Sequence, residues 1–129
     1  MTKLTEAEAR AILSAASQHA SDMGVAVAIA VADEAGMPFA LIRMDNTRWI
    51  SAEVAQAKAK CAALFVTPTS TFQGYAASSP GLATVPHIIC AGGGVPIMRE
   101  GVCIGAVGAS GGSAAQDEEI ALASLAALG

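Results

Sequence analysis

Residues 25–33 read VAVAIAVAD, and the reading of this stretch decides the fold. Successive side chains of a strand point to opposite faces, so Val25, Val27, Ile29 and Val31 share one face and four alanines share the other. Both faces are apolar and therefore covered, and the alanine face admits a close neighbour. Asp33-Glu34-Ala35-Gly36 is turn chemistry, after which MPFALIRM resumes as a second strand with Phe39, Leu41 and Arg43 on one side. Pro38 suits an edge strand better than a central one. The stretch predicts a hairpin inside a sheet that carries layers on both faces.

Working outward, Thr5 and Glu8 form a capping box, and Ala9, Ile12, Leu13, Ala16, Ala20 and Met23 recur on one helical face that ends at Gly24. His19 lies on the margin of that face. After Asp45-Asn46-Thr47, the residues Ile50, Val54, Ala57, Cys61 and Leu64 step round a second helix that ends before Pro68. Thr67-Pro68 reads as an N-cap with proline at the first helical position, opening a short helix through Phe72 and Tyr75. Three strand-like runs follow, His87–Cys90, Val95–Arg99 and Val102–Val107, with Glu100-Gly101 as a two-residue hairpin loop. Ser113 and Gln116 form a second capping box, and Asp117, Glu118 and Glu119 suit the positive end of the last helix. The order is helix, two strands, two helices, three strands, helix. It predicts an α+β domain with a largely antiparallel five-stranded sheet and helices on its faces.

The 129 residues form one domain, 1–129, of which 53% is apolar and only 14% charged, against roughly 25% charged in most soluble proteins. So little charge cannot cover the surface, and some of the apolar excess is expected to be covered by other copies of the chain. No apolar run approaches the ~20 residues of a membrane span. The start, MTKLTEAEAR, lacks the features of a secretory signal, so the expected location is cytoplasmic and no membrane partner is expected. A net charge of −4 with scattered basic residues removes nucleic acid as a partner. Cys61, Cys90 and Cys103 have no CxxC spacing, and an odd number in an unexported chain reads as buried thiols rather than disulfide bridges or a zinc site.

Two glycine clusters carry the remaining signal. Gly92-Gly93-Gly94 precedes a strand rather than a helix, which rules out a phosphate loop and leaves a plain turn or a pocket wall. SGGS at 110–113 opens a helix, whose free amides either receive an anion or are satisfied by Ser113 and the acidic first turn. Arg43 and Lys58 lie beside apolar stripes, where they bind a carboxylate, reach solvent, or pair with Asp45 and Glu53. Neither His19 nor His87 belongs to a metal-spaced cluster. A single imidazole nevertheless suffices as an axial ligand to haem.

LTEAEARAI, VAVAIAVADEAGMPFALIRMD, QAKAKCAALF, GGGVPI and GVCIGAVGASGGSAAQDEEIA, in this order along the whole chain, resemble the GlcG/HbpS haem-binding family. Similar domains are appended to PduO-type corrinoid adenosyltransferases. The resemblance implies a profilin-like fold with a five-stranded antiparallel sheet, a homo-oligomer, and ligand pockets near subunit interfaces. It places the family's RMD segment on Arg43, Met44 and Asp45, and its helix lysine on Lys58. The glycine wall falls on Gly93, Gly94, Val95, Pro96 and Ile97, and the closing motif on Ser110, Gly111, Gly112, Gln116 and Asp117. The chain departs from the family in the bulk of Asn46-Thr47-Arg48-Trp49 at the pocket mouth and in a short segment between Phe72 and Pro86.

Two functions follow as expectations. The first is a homo-oligomeric binder of haem or another small molecule, with His19 as the favoured metal ligand, His87 as a second candidate, and Gly93, Gly94, Val95, Pro96, Ser110, Gly111, Gly112 and Gln116 lining the cofactor pocket. The second is a cofactor-independent lyase or isomerase for a small aromatic carboxylate, resembling hydroxylaminobenzoate lyases. There Lys58 or Arg43 orients the carboxylate and Asp117 or Glu53 moves protons.

Overall fold

The computed structural model describes residues 2–129. Helix α1 (Glu6–Met23) leads into the hairpin β1 (Ala28–Asp33) and β2 (Pro38–Arg43). Helices α2 (Ile50–Phe65) and α3 (Thr69–Ala76) follow, then a 3₁₀ turn (Pro80–Thr84), the hairpin β3 (Gly94–Arg99) and β4 (Val102–Ser110), and finally α4 (Ala114–Ser124) with a closing 3₁₀ turn (Leu125–Leu128). The four strands form one antiparallel sheet in the order β2-β1-β4-β3.

The alternation in VAVAIAVAD sorts the layers. Val27, Ile29 and Val31 join Val95, Ile97 and Val107 in a core covered by Ile12, Ala16 and Ala20 of α1 and Ile120 of α4. On the opposite face, Ala28, Ala30, Ala32 and Ala106 meet Ala55, Ala59, Ala62 and Ala63 of α2. With no side chain beyond a methyl on either surface, α2 sits so close that a Cβ at Gly108 would run into the carbonyl oxygen of Ala55.

Both capping boxes form. Thr5 Oγ1 accepts the Glu8 amide at 3.1 Å while Glu8 accepts the Thr5 amide at 3.0 Å. Ser113 Oγ and Gln116 Oε1 do the same at 3.1 and 2.9 Å. The Glu100-Gly101 turn has positive φ at both positions (52° and 77°), the geometry that matches strand twist in a two-residue hairpin.

Two expectations are corrected. The sheet has four strands, not five, because His87–Cys90 does not pair. His87 is left-handed (φ 69°), which breaks an extended run, and the next free amide, Ile89 N–H, donates to Cys61 Sγ of α2 instead of to a strand. Helix α3 starts one residue later than Thr67-Pro68 implies: Pro68 is the cap and Thr67 Oγ1 donates back to the Phe65 carbonyl.

Candidate functional site

Strand register gathers most of the sequence-predicted residues at one end of the sheet. Ala28 pairs with Arg43 on one side and Ser110 on the other, and Gly94 pairs with Gly108. The end of β2, the start of β1, the end of β4 and the start of β3 therefore stand in a row. The Gly93 carbonyl accepts the Ala109 amide at 2.9 Å, so the two glycine loops lie side by side.

Lys58 and Asp117 meet between them. Lys58 Nζ donates to Asp117 Oδ2 at 3.1 Å and to the Ala109 carbonyl at 3.0 Å, and the two side chains are 4% and 3% exposed. Asp117 Oδ1 accepts the Gly112 amide at 2.9 Å. Both carboxylate oxygens are thus engaged, as a buried charge requires. The glycines make room for this pair. A Cβ on Gly93 would lie 2.5 Å from the Ala109 oxygen and 2.7 Å from Lys58 Nζ, at a backbone φ of 131°. A Cβ on Gly94 would strike the Lys58 carbonyl. Instead of turning the chain between two strands, the glycines carry it closely past Lys58 into β3.

The three consecutive acids of α4 face three different helices. Asp117 points inward to Lys58 of α2, Glu118 accepts from Ser70 of α3 at 2.6 Å, and Glu119 meets His19 Nε2 of α1 at 2.8 Å. The first turns of α4 are the junction at which every other helix is tied. Beside this junction a cleft of about 390 Å³ opens between α3 and α4, walled by Ser70, Gln73, Gly92, Ala115 and Glu118. Its one ionisable lining side chain is that of Glu118, and Lys58 and Asp117 do not line it.

Two amides of the SGGS segment are occupied within the chain, Gly112 N–H by Asp117 and Ser113 N–H by Gln116. Val95 is buried and Pro96 half-buried in β3. His19 is about one-third exposed beside Glu119. His87 is exposed on the loop. The side chains of Arg43 and Glu53 are exposed, and no side-chain hydrogen bond or ion pair engages them among the described residues. No group of three or more His, Cys, Asp or Glu side chains that could hold a metal ion occurs among the described residues.

Sequence reading missed Thr69 and Gln73. The Oγ1 of buried Thr69 accepts the Gly94 amide at 2.9 Å, and Gln73 Oε1 accepts the Gly92 amide at 2.7 Å. These side chains of α3 hold the glycine run from below. A run of glycine amides with no strand partner ahead of it is the one signal that called for such acceptors.

Comparison with known proteins gives a consistent result. The HbpS-like family, described as haem degrading protein HbpS-like, matches residues 4–126. Protein GlcG of Escherichia coli K12 is 38% identical over 108 residues, covering 83% of this chain and 81% of that protein. The structure of a double mutant of Streptomyces reticuli HbpS superposes with a TM-score of 0.92 at 32% identity, covering 100% of this chain and 89% of that one. A PduOC complex with haem superposes at 0.89 with 27% identity, covering 98% and 95%.

Proposed function

From the premise that the chain belongs to the HbpS-like family, we propose that it is a homo-oligomeric protein that binds haem or a similar small molecule in a pocket completed between subunits. The observation that carries this reading is the near end-to-end correspondence with PduOC, whose structure contains haem. The surface agrees with it: Trp49 is 83% exposed, and Phe39, Leu41 and Ile42 along β2 are each more than 40% exposed. A single protomer leaves this much apolar surface to water unless something covers it.

His19 is the iron ligand in this reading. A ligating imidazole is commonly fixed through its other ring nitrogen by a carboxylate, and Glu119 stands in that position at 2.8 Å from Nε2, leaving Nδ1 open. Arg43, exposed at the same sheet end, supplies a cation for a ligand carboxylate. Lys58 is committed to Asp117 and acts by holding the glycine loops in place. Haem, when bound, supplies the iron chemistry. The chain supplies orientation and exclusion of water.

Titrating purified protein with haem tests the reading. The expected result is a Soret shift at micromolar haem that is altered in His19→Ala and retained in His87→Ala. An unshifted band, or identical spectra for wild type and His19→Ala, would overturn it.

A further inference from the structure

The loop of residues 85–93, which contains the unpaired run His87–Cys90, is held against α2 by a thiol. Cys61 is fully buried on α2, and its Sγ accepts the Ile89 amide at 3.4 Å. Cys90 is the next residue and is half-buried and unbridged. One peptide unit separates Ile89 N from the Cα of Cys90, a reach of about 5 Å, so that Cα lies within about 8 Å of Cys61 Sγ. That bound runs from Cα to sulfur, whereas a disulfide needs the two Cα atoms about 4.4–6.8 Å apart, so closure draws the loop toward α2. From Pro86 to Gly92 the backbone makes no sheet ladder bonds that would resist the adjustment, the ladder beginning only at the Gly93 carbonyl.

We propose that Cys61 and Cys90 are a redox pair that closes to a disulfide under peroxide and pins the 85–93 loop to α2. The half-buried Cys90 thiolate attacks hydrogen peroxide, forming a sulfenic acid and releasing water once the departing hydroxide is protonated. The Cys61 thiol then attacks the sulfenic sulfur, the S–O bond breaks, and a second water leaves. Two thiols lose two protons and two electrons in total, and one peroxide is reduced to two waters. The order of attack follows the environments: burial pushes the Cys61 thiol above its ordinary pKa, with the neighbouring Cys90 adding to the shift and the Ile89 amide partly offsetting it. Cys61 is the poorer first nucleophile and serves as the resolving thiol.

The bridge acts on the site because Gly92, Gly93 and Gly94 continue directly from this loop to the cleft wall and the Lys58 seat. In the reduced protein the loop is tied by the Ile89–Cys61 contact and the Gly92–Gln73 hydrogen bond. In the oxidised protein a covalent bond replaces the first of these.

The sequence makes the test direct. No Lys or Arg lies between Cys61 and Arg99, so trypsin releases residues 61–99 with both thiols, while Cys103 lies in residues 100–129. After peroxide treatment and alkylation without reductant, the 61–99 peptide is expected to lose two hydrogens and regain them with dithiothreitol. Titratable thiols fall from three to one, and Tm rises by roughly 5–10 °C. The mass change should vanish in Cys90→Ser and persist in Cys103→Ser. A 61–99 peptide that is unchanged, that gains oxygen instead, or that is joined to 100–129 or to a second chain would overturn the proposal.

Discussion

At the scale of single residues, the buried pair explains more of the sequence than any other feature. Lys58 and Asp117 come from helices on opposite faces of the sheet, and they meet only because Gly93 and Gly94 leave room. Removing one partner strands a buried charge, which costs about 3–5 kcal/mol. Lys58→Met is therefore expected to lower the urea midpoint strongly. The double variant Lys58→Met/Asp117→Asn should recover much of that loss, because the Asn amide oxygen still accepts the Gly112 N–H without carrying charge. Circular dichroism in urea measures both, and additive losses would show that the two residues do not act as a unit. The identities of Lys58 and Asp117 were legible as unusual charges in a charge-poor chain. Their partnership was not, because 59 positions separate them and no periodicity links a residue of α2 with one of α4.

At the scale of elements, legibility followed how much of an element's stability is local. Both capping boxes, the Glu100-Gly101 turn and the two-faced β1 were readable because each is specified within a few residues. His87–Cys90 has the composition of a strand, but pairing is a property of neighbours, and the outer edge of β3 remains unpaired while the loop turns to Cys61. The α1 cap also carries a tertiary role. Glu8 accepts the Thr5 amide and also meets the Arg99 guanidinium at the end of β3, joining the first turn of α1 to the second hairpin. The Thr5 amide first, and Arg99 second, hold its carboxyl below the ordinary glutamate pKa. A carboxyl with a folded pKa below its unfolded value of about 4.3 contributes its full stabilisation above that value. The contribution is lost as pH falls through the folded pKa. Tm of the wild type should accordingly drop more steeply than that of Glu8→Gln between about pH 5 and pH 3, with the two curves converging at the acid end. Parallel curves would mean that Glu8 carries no such linkage.

At the scale of the whole molecule, apolar surface points outward along one particular edge. Antiparallel edge strands usually protect themselves with charge, proline or a covering loop. Here β2 has only Pro38 at its first position and Arg43 at its last, and between them Phe39, Leu41 and Ile42 stand at 41, 41 and 42% exposure. Grooves flank its α1 side, lined by Ala9, Leu13 and Phe39 and farther along by Ser17 and Ile42. Ser17 Oγ is buried without a hydrogen-bond partner. The composition foretold that such a surface would exist, but not where, since the sheet order decides which strand is left at the edge. If copies of the chain cover β2, the native mass is a multiple of the 12.8 kDa protomer. Leu41→Lys, which places a charge on this edge without touching the buried core, should then reduce that mass while leaving the far-ultraviolet spectrum unchanged. Because the proposed pocket is completed between subunits, haem retention should fall together with the mass. An unchanged mass would move the interface away from β2, and a dissociated variant that still holds haem with wild-type affinity would place the pocket within one protomer.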